Sequence, residues 1–388
     1  MSFTIGNVTI ETELALGPMA GITDLPFRLL CREMGAGFLY TEMVSAKGVL
    51  YHNRNTAELL KTLPAERPIA LQLFGAEPDV MAAAAEKLAG LPFDFFDINM
   101  GCPVPKVVNN GEGSALMQSP DRIGEIVGAM VRVQPKPVLV KLRKGFLTEN
   151  AVEAARAAVS AGASAVCVHG RLRNEYYSGH SDWGVIRRVK EAVPVPVIGS
   201  GDVMCGADAV RMKAETGCDC VMIARAARGN PWIFAECKRA LAEYEKNGTA
   251  ELSPSEYAPE PEGTEGMFSA GNGTGGEGLP DTSGKNRKFS GGNTKPPEQE
   301  VISMLLRHAE LAVSAKTGRL MPEEDFRKLR ELLGVREDEL SLKKAEELAM
   351  REMRKHVSWY LAGFPNSAKL RSRTNNLTTL SELRELLL

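Results

Sequence analysis

Cysteine is scarce in this chain, with seven in 388 residues and no CxxC pair. Cys218-x-Cys220 is only a strand alternation, and no His/Cys spacing suits a metal. These absences exclude a disulfide scaffold and predict a reducing compartment with no metal. No apolar run reaches the ~18 residues a membrane span needs, so no membrane contact is expected. The opening MSFTIGNVTIETELAL has no basic start followed by an apolar core. No secretory signal is expected there, and a cytoplasmic location follows. Excess positive charge is also missing: the net charge is −2, so any nucleic-acid site must be a local patch. No Cys/His/Asn protease signature and no GxGxxG turn is visible.

The remaining composition is that of an ordinary globular protein, 44% hydrophobic and 25% charged. Residues 1–247 are regular and apolar-rich. Residues 248–299 read as a flexible linker or insertion, since 251–297 hold ten glycines and six prolines. From 300 to 388 apolar residues recur at helical spacing, with a charged insertion near 316–349. A single unassociated chain is expected.

The first part alternates short β-rich runs with helical stretches. Candidate strands lie near 14–16, 37–41, 69–74, 95–99, 138–142, 165–169, 195–199 and 220–223. Helix-like segments between them include 80–88, 121–133, 151–161 and 207–215. Eight such units predict an α/β fold, a parallel (β/α)₈ TIM barrel followed by a smaller helical domain. A doubly wound open sheet is the alternative. It is disfavoured because Gly-Pro-Met-Ala-Gly follows the first strand.

In such barrels function collects where strands end. The residues there are Pro18, Met19 and Ala20; Glu42; Gln72; Asn99 and Cys102; Lys141 and Arg143; His169 and Arg171; Ser200, Gly201 and Asp202; and Ala224 and Arg225. Any one would pass as loop solvation; seven polar strand ends point to one shared site. Gly199-Ser-Gly-Asp202 and Ala224-Arg225 follow strands 7 and 8, where backbone N–H groups and an arginine suit a phosphate. Their bland alternative is two glycine turns. Lys141 needs an anionic or electron-rich partner, such as a phosphate or the pyrimidine edge of a flavin. Cys102, on a Gly/Pro-bounded turn, is a nucleophile, a general acid or a packing thiol. A free thiol, with pKa near ~8.5, is mostly protonated at neutral pH.

At these residues the chain resembles the tRNA-dihydrouridine synthases, in particular their bacterial B-type branch. The strings that carry the resemblance are Pro18-Met-Ala-Gly-Ile-Thr-Asp24, Asp97-Ile-Asn-Met-Gly-Cys-Pro103, Gly111-Glu-Gly-Ser-Ala-Leu116, Val168-His-Gly-Arg171, Arg225-Ala-Ala-Arg-Gly-Asn-Pro-Trp-Ile-Phe234 and Arg354-Lys-His-Val-Ser-Trp-Tyr360. The resemblance implies an FMN-containing barrel and a helical RNA-binding domain. It implies that Pro18, Met19 and Ala20 line the flavin ring, that Gln72 and Lys141 contact it, and that His169 lies near the ring or ribityl chain. Ser200, Gly201, Asp202, Ala224 and Arg225 would hold the phosphate, and Asn99 the uracil. Arg171 is expected on the substrate side. Two departures stand out, since the family usually has Asn where Ser200 stands and Gly where Ala224 stands.

The implied reaction is reduction of uridine in tRNA to 5,6-dihydrouridine. Hydride passes from reduced FMN to C6, and Cys102 protonates C5 from the opposite face. NADPH or NADH would reduce the flavin as a transient partner. The base must leave its stack to react. Residues 351–373 carry a net charge of +5, with Arg354, Lys355, Arg371 and Arg373 as the expected tRNA contacts and Trp359 and Tyr360 interleaved. The bland alternative is a solvated helix whose Trp anchors the core. Other functional classes are an FMN-dependent barrel oxidoreductase for a small molecule such as a free pyrimidine, and a non-catalytic RNA chaperone on a decayed barrel.

Overall fold

A computed structural model describes residues 2–51, 53–247, 296–335, 341–365 and 367–388. The Gly/Pro-rich linker therefore falls almost wholly outside the described residues.

Parallel strands β1 (Leu14–Leu16), β2 (Leu39–Tyr40), β3 (Ile69–Phe74), β4 (Phe95–Met100), β5 (Val138–Gly145), β6 (Ala165–Leu172), β7 (Val197–Ser200) and β8 (Cys220–Ile223) form the sheet. The order is β1-β8-β7-β6-β5-β4-β3-β2. Phe38 closes the ring: its N–H donates to the Leu14 carbonyl and its carbonyl accepts from Leu16. The fold is thus the (β/α)₈ barrel the alternation predicts. Intervening helices include Pro78–Leu88, Pro120–Val133, Ala151–Ser160, Trp183–Ala192 and Gly206–Thr216. They pack their apolar stripes outside the strands, so the strands are covered on both faces and read as near-continuous apolar runs.

The strand period of two places the chemistry. Inside the barrel, Ala15, Phe38, Tyr40, Ala70, Phe95, Leu139, Ala165, Cys167, Ile198, Cys220 and Met222 make one buried hydrophobic cluster. On β3 to β7 the same inward face turns polar two residues further along: Gln72, Asp97 and Asn99, Lys141 and Arg143, His169 and Arg171, Ser200. Register then sets neighbours: Gln72 opposite Asp97, Asn99 opposite Lys141, and His169 opposite both Arg143 and Ser200. A short antiparallel hairpin, Phe3–Ile5 with Val8–Ile10, plugs the other end with Ile5 and Ile10.

The C-terminal part comprises α1 (Glu298–Lys316), α2 (Glu323–Leu333), α3 (Leu342–Tyr360), α4 (Ser367–Thr374) and α5 (Leu380–Leu387). Val301, Leu305, Ala309, Met350, Met353 and Val357 form its core, which also takes Leu30 of the barrel helix Leu25–Glu33. Phe27 of that helix stacks on His308 at 5.6 Å. The charged stretch near 316–349 supplies α2, whose Leu329 and Leu333 join the barrel's own core cluster. Among the described residues no helix is long and apolar enough to cross a membrane.

Candidate active site at the barrel mouth

Loop 1 is built by its own sequence. Thr23 Oγ1 accepts from Met19 N–H and donates to the Met19 carbonyl. Asp24 caps the helix that follows through Phe27 N–H. Gly21 takes φ +70°, where a side chain would be strained. Pro18 and Met19 are thereby held half-buried at the mouth, with Ala20 exposed.

On one side of the mouth a chain of neutral groups runs inward to outward. Thr41 Oγ1 accepts Gln72 N–H at 3.0 Å, Gln72 Nε2 donates to Asp97 Oδ2 at 2.7 Å, and Asn99 Nδ2 donates to Gln72 Oε1 at 2.8 Å. Asn99 Oδ1 then accepts from the N–H groups of Gly101 (3.1 Å) and Cys102 (2.9 Å). Burial pushes the Asp97 carboxyl up to about 7 against the pull of Gln72 and Lys141. Asn99, expected to hold substrate, thus spends its carboxamide oxygen on fixing the cysteine turn, and the buried Gln72 is likewise committed. Cys102 is the half-buried thiol at the end of this chain. Burial raises its pKa, outweighing a backbone hydrogen bond from Val104 and the Arg143 and Lys141 charges. The turn is clamped from outside: Arg143 Nε donates to the Gly101 carbonyl at 2.7 Å and its Nη1 to Leu172 and Tyr176. Gly113, at φ +60°, packs so close that a Cβ there would fall 2.9 Å from the Cys102 carbonyl oxygen.

The other side is charged. Asp202, at φ +56°, accepts from Arg171 (2.7 and 2.8 Å), Arg225 (2.9 Å) and Ser181 N–H (2.7 Å). The Arg225 guanidinium lies 4.5 Å over the Tyr177 ring. The Asp202 carboxylate is thus taken up by the two arginines and orders them, which leaves its backbone N–H to face the mouth. Arg171, expected on the substrate side, is fully buried, its guanidinium hydrogen-bonded to Ser178, Gly179 and Asp202. Among the described residues the backbone N–H groups of Gly201, Asp202, Ala224 and Arg225 have no protein acceptor, and the Lys141 ammonium has no hydrogen bond or ion pair. Burial and the charges of Arg143, Lys141, Arg171 and Arg225 hold His169 well below the ordinary imidazole range. Ser200, at the end of β7, lies buried opposite His169.

The expected RNA-binding cations separate. Arg354 donates to the Leu377 carbonyl at 2.8 and 3.1 Å, so it holds the C-terminal segment to α3. Lys355 Nζ approaches loop 1, 3.4 Å from where a Cβ on Gly21 would lie. Arg371 and Arg373 are on α4, the second exposed. Trp359 lies under the Arg228 guanidinium at 5.3 Å, against loop 8, where Gly229 has no side chain to hold α3 away. Arg143 carried a signal in its strand-end position. Tyr177 and Ser181 carried none, since they stand on an aperiodic loop.

Among the described residues no three His, Cys, Asp or Glu side chains group as a metal site. Residues 14–257 match the family described as dihydrouridine synthase. The chain is 33% identical to tRNA-dihydrouridine synthase B of Pseudomonas aeruginosa over 375 residues, 96% of this chain and 91% of that protein. It is 40% identical to tRNA-dihydrouridine synthase B of Xanthomonas campestris over 240 residues, 61% of this chain and 72% of that one. A probable tRNA-dihydrouridine synthase of Mycobacterium tuberculosis is 32% identical, covering 98% of this chain and 82% of the relative. A barrel with its polar strand ends gathered round a half-buried thiol, matched at this length and identity, belongs to the dihydrouridine synthase family.

Proposed function

We propose that this chain reduces uridine in tRNA to 5,6-dihydrouridine, with FMN as its flavin, NAD(P)H as reductant and Cys102 as the proton donor. The observation that carries the proposal is the Cys102 turn: a thiol kept protonated by burial and fixed by Asn99 and Arg143 at the mouth. The mouth fits FMN on its own terms. Four backbone N–H groups without protein acceptors, beside the Arg225 guanidinium, suit a phosphate. Lys141, a cation without a protein partner among the described residues, suits the electron-rich edge of the ring. Bound FMN supplies the hydride.

The protein's own residues do the rest. Met19 and Pro18 form a half-buried floor at loop 1. Asn99 holds the Cys102 backbone so that the thiol proton is presented from loop 4. Arg143 ties that loop to loop 6 and keeps it from drifting. The thiol proton is delivered to C5 as negative charge develops there, which needs an acid still protonated at neutral pH. A macromolecular substrate is supported by α3, which places Lys355 at loop 1 and Trp359 at loop 8 on the border of the mouth. The exposed Arg373 and half-buried Arg371 extend that border with phosphate-binding charge. Seven free cysteines suit the reducing cytoplasm.

The test is direct. The flavin is released from purified protein and identified. The protein is then incubated with NADPH and unmodified tRNA, and dihydrouridine is counted by mass spectrometry. FMN and tRNA dihydrouridine are expected. A flavin-free protein that FMN does not reconstitute, or one that reduces free uridine and leaves tRNA untouched, overturns the proposal.

A further inference from the structure

Arg171 is wholly buried, and its five N–H donors all have partners. Nε donates to the Ser178 carbonyl at 3.0 Å, Nη2 to Gly179 at 2.8 Å and to Asp202 Oδ2 at 2.7 Å, and Nη1 to Asp202 Oδ1 at 2.8 Å. The fifth donor, on Nη1, faces His169 Nε2 at 3.4 Å. A guanidinium has donors only and does not lose its proton in a protein. The contact therefore requires a lone pair on Nε2. A neutral imidazole has one N–H, so the proton stands on Nδ1. An imidazolium would set N–H against N–H beside three further cations, Arg143, Lys141 and Arg225.

We infer that Asp202 and Arg171 are positioning residues that fix His169 as the neutral Nδ1–H tautomer. Asp202 orients the guanidinium through both carboxylate oxygens, two carbonyls lock it, and the last donor selects the tautomer. Gly201 leaves room for the device: at φ +118° it lacks a Cβ that would run into Ser181 and fall 2.9 Å from His169 Cδ2. Among the described residues Nδ1 has no protein acceptor. His169 consequently offers the mouth one hydrogen-bond donor and no base. It recognises an acceptor on the bound ring, a carbonyl oxygen or an unprotonated ring nitrogen, and it takes no proton during turnover. That use rests on the function proposed above; the tautomer does not.

The experiment is nitrogen NMR on the full chain labelled at its histidines, with the His169 signal identified by its loss in His169→Gln. The expected result is a protonated Nδ1 and an unprotonated Nε2, unchanged from about pH 5.5 to 8. In Asp202→Asn one acceptor for the guanidinium becomes a donor, and His169 should then exchange between tautomers. Arg171→Lys, which lacks the fixed fork, should do the same if the first variant folds poorly. An Nε2–H ring or an imidazolium in the unsubstituted protein at neutral pH overturns the assignment. An unchanged signature in both variants removes Asp202 and Arg171 from it. Flavin content and tRNA turnover are read on the same samples: loss of those with the Nδ1–H signature intact counts against the proposed function alone.

Discussion

The two sides of the barrel mouth solve different problems with different materials. From β2 to β4 the polar groups are a hydroxyl, two amides and a carboxyl raised to about 7, ending on the Cys102 backbone. From β6 to β8 they are arginines, one carboxylate and a histidine kept neutral. Neutral hydrogen bonds fix geometry without drawing a proton off the thiol, so the first side suits an acid that must stay protonated. Cations draw in anions, so the second side suits a phosphate and an electron-rich ring. Chemistry and binding are therefore separable by substitution.

The sharpest way to break that division is Cys102→Ala. Turnover on tRNA should fall by about 10²–10⁴, the usual contribution of a positioned proton donor, while flavin content and reduction by NADPH persist. Cys102→Ser should not fully rescue, because a hydroxyl is a far weaker acid. A merely packed thiol predicts near-normal turnover for both. On the other side, Arg225→Ala should weaken FMN by about 1.5–3 kcal/mol, the range for a hydrogen bond to a charged group, with residual turnover at saturating FMN. Fluorescence titration of the apoprotein checks it, and unchanged affinity would take Arg225 out of the cofactor site.

Asp97 tests the neutral side through stability. The folded chain keeps this proton up to about pH 7. The unfolded chain releases it near the ordinary value of about 3.9. Between those values stability falls as pH rises, by up to about 1.4 kcal/mol per unit, and levels off above. Glu42, raised to about 7 mainly by burial, adds a similar slope. Asp97→Asn should remove its own share, so the variant gains on the unsubstituted protein as pH rises from 5 to 8 in urea unfolding. Parallel curves would show that Asp97 is ionised in the fold. The smallest effect belongs outside the mouth. Arg371→Ala with Arg373→Ala should flatten the salt dependence of tRNA binding, by about 0.7–0.9 in slope for each phosphate left without its cation. Arg354→Ala should lower stability instead, since that side chain holds Leu377.

The barrel and its inward-facing strand ends were legible because a period of two carries an apolar interior into a polar mouth on one face. Lys141, His169 and Asn99 could be placed at the mouth from that alone. Partners could not. Asp202 reads in sequence as a member of a glycine-rich phosphate loop, and only packing shows its carboxylate committed to Arg171 and Arg225. Arg354 reads as part of a basic face, and a helix carries the same pattern whether its arginine meets solvent or a carbonyl. Tyr177 and Ser181 stand on a loop without periodicity. The N-terminal hairpin did leave a signal, a Gly6-Asn7 turn between two Thr-containing alternations, in a stretch short enough to pass as a leader to β1.

Burial keeps a proton on Cys102 until the base needs it, against the pull of Arg143 and Lys141. The other six cysteines are buried, so alkylation of the native protein should report on this thiol alone. Mass spectrometry of the modified site against pH measures its protonation directly. Modification at Cys102 should stay slow at neutral pH and rise only above the ordinary thiol value of about 8.5. Rapid alkylation at neutral pH, the mark of a thiolate, would contradict it.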